Sequence, residues 1–287
     1  MRLPLPDSLV AQARAYADGS AEPVTPRNAA TVVLLRASAD PSMGPDVYLL
    51  RRQTSMAFAA GMCVFPGGGV DDRDFDASVA WAGPSPVEWA DRLGVDDEHL
   101  ARALVCAAVR ETFEESGVLL AGTSDADVVA DVTGDDWEAD RHALESRQLA
   151  FTEFLERRGL VLRSDLLGAW AGWLTPVFEP RRYRTWFFVA VLPEGQRTRD
   201  VSTESDHVTW LPAMAAVEAV EREELFMLPP TYFTCLDVGR AGTPDAVLAA
   251  ARERTVEMFM PKVVADGDDF VLSMPPGAEA LLAGRGR

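Results

Sequence analysis

Apolar positions along this chain follow two rhythms. Short runs rich in β-branched and aromatic residues occur at 28–37 (NAATVVLLRA), 46–52 (DVYLLRR) and 207–212 (HVTWLP). These read as strands, the first two joined by a loop with Pro41 and Gly44. Two more buried strands are predicted in LGAWAGWLTPVF (167–178) and RTWFFVAVLP (184–193), joined through EPRRY, and a late one in DDFVLSMP (268–275). A period near 3.6 marks helices at 6–18, 97–116, 215–224, 229–239 and 243–254, with one or two more within 135–160. SPVEWADRLGV (85–95) adds a short helix, capped by Ser85, with Pro86 in its first turn and Gly94 at its end. The acidic stretch 122–134 reads as surface loop or short helix. There is no internal repeat and no low-complexity linker, so one domain with helical additions is expected. The pattern alone gives α+β or α/β.

The helix at 97–116 has an unusual end. It lacks internal Gly and Pro and stops at Gly117, a natural C′ residue. Glu111, Glu114 and Glu115 fall within an arc of about 100° on its surface. Leu100, Leu104 and Ala107 point the same way, so the acidic patch prolongs an apolar stripe and is expected to face inward. Like charges at i, i+4 repel, and burial sharpens the repulsion. Arg110, four residues before Glu114, offsets one charge only. Either this is a solvated acidic helix end, or a hard divalent ion sits there, taking oxygen ligands from protein, water and phosphate.

The context favours the ion. Upstream stands YLLRRQTSMAFAAGMCVFPGGGVDD (48–72), with Gly67, Gly68 and Gly69 in succession. Consecutive glycines mark a turn or a place where backbone approaches a ligand closely. Together with RETFEESGV (110–118) the chain resembles the Nudix hydrolase family: the string is the second half of the Nudix box, with Thr112 at a position that is usually apolar. In the usual box fourteen positions separate the loop glycine from the arginine. Here Gly68 and Arg110 stand 42 apart (110 − 68), so roughly 28 residues are inserted. The usual glutamate eight positions before the arginine is replaced by Arg102. An inserted box is similar to the branch that contains peroxisomal coenzyme A diphosphatases, as are the runs 49–72, 173–193 and 224–234; the likeness spans roughly residues 28–240.

That resemblance implies an α/β fold: the Nudix α/β/α sandwich with a mixed sheet, one domain over 1–287, an insertion at approximately 70–98 and a helical insertion at approximately 122–165. It implies a Mg²⁺ or Mn²⁺ site at Glu111, Glu114 and Glu115, their carboxylates directed to one point, with Glu114 and Glu115 catalytic. Arg110 matches the box arginine and is expected to orient Glu114 or a neighbour. Gly67, Gly68 and Gly69 are expected to hold the loop against the helix and leave room for phosphates. The implied reaction is metal-assisted hydrolysis of a diphosphate linkage.

Other candidates lie outside the box. Glu204, in DVSTESDHVTW, precedes the tryptophan-bearing strand and is the candidate general base, with Asp206 and His207 beside it. A loop of solvated polar residues gives the same pattern. Arg181, Arg182 and Arg184 form the densest basic cluster, and guanidinium forks suit phosphate; ion pairing with an acidic surface is the alternative. Arg51 and Arg52 lie just before the glycine loop, and alternation places at most one of them toward a cleft; Arg51 is the one assigned here. His99 and His142 are expected at the surface. Trp170, Trp173 and Trp186 are expected in the core, with base stacking a lesser option.

Composition narrows the class. A net charge of −18 over 287 residues argues against a general binder of nucleic acid or membrane surface. An anionic substrate then needs local help from metal and arginine. Cys63, Cys106 and Cys235 stand apart in apolar contexts, which suits small core residues in a reducing compartment. No charged-then-apolar leader and no run of 18 apolar residues occurs, and the tripeptide 285–287 is not a peroxisomal address, so a cytoplasmic protein is expected. A small-molecule nucleotide is the expected partner, and a homodimer is left open. Coenzyme A or acyl-coenzyme A leads as substrate, with ADP-ribose, NADH or another nucleotide derivative as alternatives. A non-catalytic nucleotide sensor is a third reading, at odds with three retained carboxylates.

Overall fold

The structure is a computed structural model that describes residues 5–54, 59–267, 269–283 and 285. Residues 55–58 of the glycine-loop run, Asp268 of the late strand and the C-terminal residues 286–287 lie outside the described residues. In chain order the elements are α1 (Asp7–Ala17), β1 (Arg27–Arg36), β2 (Asp46–Arg52), β3 (Cys63–Val64), β4 (Gly67–Gly69), β5 (Trp81–Ala82), α2 (Pro86–Leu93) and α3 (Glu98–Ser116). Then follow β6 (Ala121–Gly122), α4 (Asp135–Glu145), α5 (Phe151–Arg158), β7 (Val161–Arg163), β8 (Leu167–Leu174), β9 (Tyr183–Val191) and β10 (Ser205–Pro212). The chain closes with α6 (Ala213–Glu221), α7 (Pro229–Ala241), α8 (Pro244–Arg252), β11 (Met258–Phe259), β12 (Val263–Asp266), β13 (Asp269–Leu272) and α9 (Ala278–Leu282). The glycine run, read as a loop, is a strand.

The main sheet runs β10-β2-β1-β9-β8-β11 and is mixed. β1 lies parallel to β9 from Arg27 opposite Tyr183 to Leu35 opposite Val191, whereas β8 runs antiparallel to β9. One face buries Ala30, Val32, Leu34, Phe188 and Ala190 against α2 and α3; the other buries Val33, Leu35, Phe187 and Val189 against α6, α7 and α8. Alternate residues of the same strands serve opposite layers, as the pleat requires. This is the expected α/β/α sandwich with a mixed sheet.

β1 has two antiparallel partners on one side. Its end pairs with β2, Leu35 opposite Val47, and its start pairs with β4, Ala29 opposite Gly69 through Thr31 opposite Gly67. The sheet therefore forks, and the site lies at the fork.

Helix α3 departs from the expected one-sided stripe. From Ala103 to Val109 every residue is buried, so both its faces are covered. The segments before and after it do this. Phe113 stacks on Phe154 of α5 with ring centres 5.4 Å apart, and Leu144, Leu149 and Phe151 join the same cluster. A small sheet β5-β7-β6 links these two segments, Trp81 and Ala121 both registering with Leu162. Each large apolar side chain so covered contributes roughly 1.5–3 kcal/mol. Arg102 anchors the segment before α2: Nη2 donates to the carbonyls of Ala77 (2.9 Å) and Val79 (2.8 Å), and its guanidinium lies over the Trp81 ring. At the far end of α3, Gly117 adopts φ 71°, where a side chain would be strained and a Cβ would stand 2.7 Å from Arg199 Nε.

Candidate active site

The site forms where β4 crosses the last two turns of α3. Gly67, Gly68 and Gly69 all lie outside the left-handed region, so at Gly67 and Gly68 room rather than backbone freedom dictates glycine. A Cβ on Gly67 would stand 2.5 Å from the Ala30 carbonyl, and one on Gly68 would stand 2.5 Å from the Glu111 carboxylate. At Gly69 a Cβ would meet nothing within 4 Å among the described residues. The Gly67 N–H donates to Glu115 Oε2 at 2.8 Å, which ties strand to helix.

Arg110 is the hub. Its Nε and Nη2 reach the two oxygens of Asp74, each at 2.9 Å; Nη1 donates to Glu111 Oε1 at 2.6 Å and Glu114 Oε1 at 3.3 Å; Nη2 also donates to the Gly69 carbonyl at 3.0 Å. Asp74 is 2 % exposed and was not singled out from the sequence. A signal existed. The usual glutamate stands eight positions before the box arginine and therefore six after the loop glycine (14 − 8). Six after Gly68 is Asp74. Eight positions before Arg110 stands Arg102, which instead holds the carbonyls of Ala77 and Val79.

Three carboxylates, Asp74, Glu111 and Glu114, thus surround one guanidinium, and Glu115 stands beside them on the Gly67 N–H. Burial first, then repulsion from Glu111, pushes Glu114 up to about 8. The same two causes hold Glu115 well above the usual carboxylate range, against the opposing Gly67 N–H. Burial also raises Glu111, with Arg110 opposing. A group of hard oxygen donors with this excess of negative charge fits a divalent cation by its chemistry. Its geometry is not that of a ready-made centre. Among the described residues no three Asp, Glu, His or Cys side chains form a metal-ligating group. The expectation that the three glutamates point to one spot is corrected: Glu111 and Glu114 turn to Arg110, and Glu115 turns to Gly67.

These residues open onto a cavity of about 750 Å³. One wall is charged; the other includes Phe65, Trp173, Phe187, Leu228 and Leu272. Trp173 is a core residue as expected, with Phe259 edge-on at 5.2 Å, yet one side of it faces this cavity. Trp170 and Trp186 are buried, and His99 and His142 are exposed.

Glu204 lines the cavity near the triad, and its charge adds to the upward shift of Glu111 and Glu115. It is held in place three ways. Arg52 Nη2 donates to its Oε2 at 2.8 Å, the Gln53 N–H donates to its carbonyl at 3.0 Å, and its neighbour Thr203 donates from N and Oγ1 to Glu145 Oε1. Asp206 and His207 are exposed, and Asp206 pairs with Arg51 at 2.6 Å.

The arginine assignments need correction. Arg52, not Arg51, faces the cavity; Arg51 lies on the other side of β2 with Asp206. On β9 the cavity-facing residues are Tyr183, Thr185 and Phe187, which leaves Arg184 on the opposite face. Arg181 is exposed and outside the lining. Arg182 is 6 % exposed and structural: it donates to the carbonyls of Thr175 (3.1 Å) and Val24 (2.9 Å). The cavity takes its arginines from elsewhere: Arg52, Arg73, Arg110 and Arg147.

The chain is similar to known proteins over most of its length. The family model of the NUDT19 Nudix domain matches residues 96–238. An acyl-coenzyme A diphosphatase NUDT19 of Xenopus laevis is 26% identical over 270 residues, covering 81% of this chain and 70% of the relative. The Gallus gallus protein of the same name is 25% identical over 304 residues, covering 87% and 78%. A NUDIX hydrolase from Alicyclobacillus acidocaldarius has a similar crystal structure, with a TM-score of 0.67 and 25% identity over 79% of this chain and 96% of that one.

Proposed function

The chain belongs to the Nudix hydrolase family, and from that premise we propose that it hydrolyses the diphosphate linkage of coenzyme A or an acyl-coenzyme A. The observation that carries the reading is the divided cavity: buried carboxylates on one wall, Trp173, Phe187, Leu228 and Leu272 on the other. A substrate with a diphosphate at its middle and a long, partly apolar arm matches both walls. The names of the two vertebrate relatives support the same substrate class.

Glu111, Glu114 and Glu115 would hold the divalent ion, Mg²⁺ or Mn²⁺. When bound, the ion neutralises diphosphate charge and makes a nearby water more acidic. The protein's own groups do the rest. The Gly67 N–H fixes Glu115, and Arg110 orients Glu111 and Glu114 while Asp74 holds Arg110. Glu204, anchored through Oε2 to Arg52, accepts the proton of the attacking water at Oε1. Water adds to one phosphorus and the bridging oxygen leaves with the other, giving an adenosine bisphosphate and a phosphopantetheine. The bare β4 glycines leave space for the phosphates. The partner is a small-molecule nucleotide, with no role for nucleic acid or membrane, and a homodimer is left open. Among the described residues no helix is long and apolar enough to cross a membrane. Three free, buried thiols support a cytoplasmic setting.

The test is a product assay by mass spectrometry with Mg²⁺ and a panel of coenzyme A, acyl-coenzyme A, ADP-ribose, NADH and diadenosine polyphosphates, with Glu115→Gln as control. Preferential cleavage of coenzyme A species upholds the reading. Preference for another member keeps the chemistry and removes this substrate. Tight binding without cleavage of any of them marks a sensor.

A further inference from the structure

Arg147 stands on the cavity rim just beyond α4, with φ 59°. Three non-glycine residues adopt such a backbone among the described residues, and two of them, Ala59 and Arg147, line this cavity. The position is held from several sides. The Arg147 N–H donates to the Leu144 carbonyl and the Gln148 N–H to the Ala143 carbonyl, both at 2.8 Å. The Arg147 carbonyl accepts from Arg73 Nη1 at 3.2 Å.

Arg73 connects this rim to the catalytic carboxylates. Its Nε and Nη2 fork onto the two oxygens of Asp71 at 3.0 and 3.1 Å. The Asp71 N–H donates to Asp74 Oδ2 at 2.8 Å, and Asp74 holds Arg110. A continuous set of contacts thus runs from Glu111 and Glu114 outward to Arg147.

The four cavity arginines differ in what they have left to offer. Arg110 is engaged on three carboxylates and a carbonyl, with 11 % of its side chain exposed. Arg52 is paired with Glu204 at 17 %, and Arg73 is forked at 39 %. Arg147 makes one ion pair, to Asp71 at 4.0 Å, and is 79 % exposed. Two guanidiniums share one carboxylate here, a local positive excess in a cavity where acidic side chains otherwise dominate. Long-range repulsion from a chain of net charge −18 makes such a spot selective for where an anion settles.

We propose that Arg147, backed by Arg73, forms an anion subsite for a phosphate monoester on the nucleoside part of the substrate, apart from the diphosphate that is cleaved. This rests on the diphosphatase reading and deepens it: the subsite selects a nucleoside carrying an additional ribose phosphate. Arg73 acts as a positioning residue through the Arg147 carbonyl and as the second cation.

The test measures binding without turnover. Adenosine 3′,5′-bisphosphate and adenosine 5′-monophosphate are titrated into the native protein, Arg147→Asn and Arg147→Lys. Asparagine removes the charge at a backbone position it adopts readily. The native protein is expected to prefer the bisphosphate by about tenfold or more, the size of one charge-assisted contact. Arg147→Asn abolishes the preference and Arg147→Lys keeps most of it. In turnover, Arg147→Asn raises KM for coenzyme A to that of its 3′-dephospho form and leaves kcat unchanged. Equal native affinity for the two nucleotides, or a preference that survives Arg147→Asn, overturns the subsite. Cleavage without this preference removes the subsite alone; the preference without cleavage removes the diphosphatase reading alone.

Discussion

Asp74 and Arg110 meet edge to edge, through two bonds of 2.9 Å, although they stand 36 positions apart in the chain. Between them the chain runs out through β5 and α2 and returns as α3. The pair therefore closes the long detour at its base and sets Arg110 toward Glu111 and Glu114.

Removing Asp74 should be costly. Asp74→Ala leaves a guanidinium largely out of water and short of two acceptors, so a loss of about 3 kcal/mol is expected. Urea unfolding should show a lower midpoint with an unchanged slope. Asp206→Ala, which breaks the exposed pair with Arg51, should cost below about 1 kcal/mol. Similar losses for the two would show that the buried pair does not brace this detour of the chain.

The three glycines should separate cleanly. Gly68→Ala drives a methyl group into the Glu111 carboxylate, 2.5 Å away, and Glu111 must shift. Displacement of a catalytic group by about 1 Å reduces turnover by roughly a hundredfold. Gly69→Ala meets open space and should stay within a few-fold of native, a difference readable in one steady-state assay.

The acidic cluster predicts a pH dependence for the metal-free protein. Glu114 titrates near 8 when folded and in the ordinary carboxylate range when unfolded; Glu111 and Glu115 are shifted in the same direction. The folded state therefore binds protons more tightly. Its associated stability is fully present at acid pH, below the unfolded values, and is lost as pH rises through about 8. Melting scans in chelator should show Tm falling from pH 5 to pH 9. Mg²⁺ should restore Tm at pH 9 and do little at pH 5. Glu115→Gln should flatten the metal-free slope and abolish turnover. A flat native profile would mean that the cluster is not strained.

Glu204→Gln keeps shape and hydrogen-bonding capacity but loses basicity. A fall in kcat of about a hundredfold with KM little changed is expected for a general base. Turnover within a few-fold of native would exclude Glu204 from that role and move attention to Glu114.

Much of the fold was legible because its signals are local. β1, β2 and α3 begin and end within about a residue or two of where the apolar period and the caps place them. Ser85 does cap α2, in a capping box with Glu88. The strands of two or three residues were not legible: β3 and β4 are too short to carry a period, and a run of glycines reads as a turn. Burial of both faces of α3 was hidden as well, since it depends on α5 and the small sheet, which are distant in sequence from much of the helix.

By itself, the sequence determined that three glutamates share one helix face, that glycines precede them, and that Arg110 sits one turn before Glu114. Each follows from spacing along a regular element, and a helix converts spacing into direction. Which arginines meet the substrate, and which acid holds Arg110, was decided only by tertiary structure. Arg182 and Arg184 stood in the densest basic cluster, yet the pleat of β9 and the demands of buried carbonyls turned them to other work. Arg73 and Arg147 are 74 positions apart and meet through a carbonyl at one cavity rim. No local period encodes such a meeting; it arises where the segments before and after α3 pack over that helix.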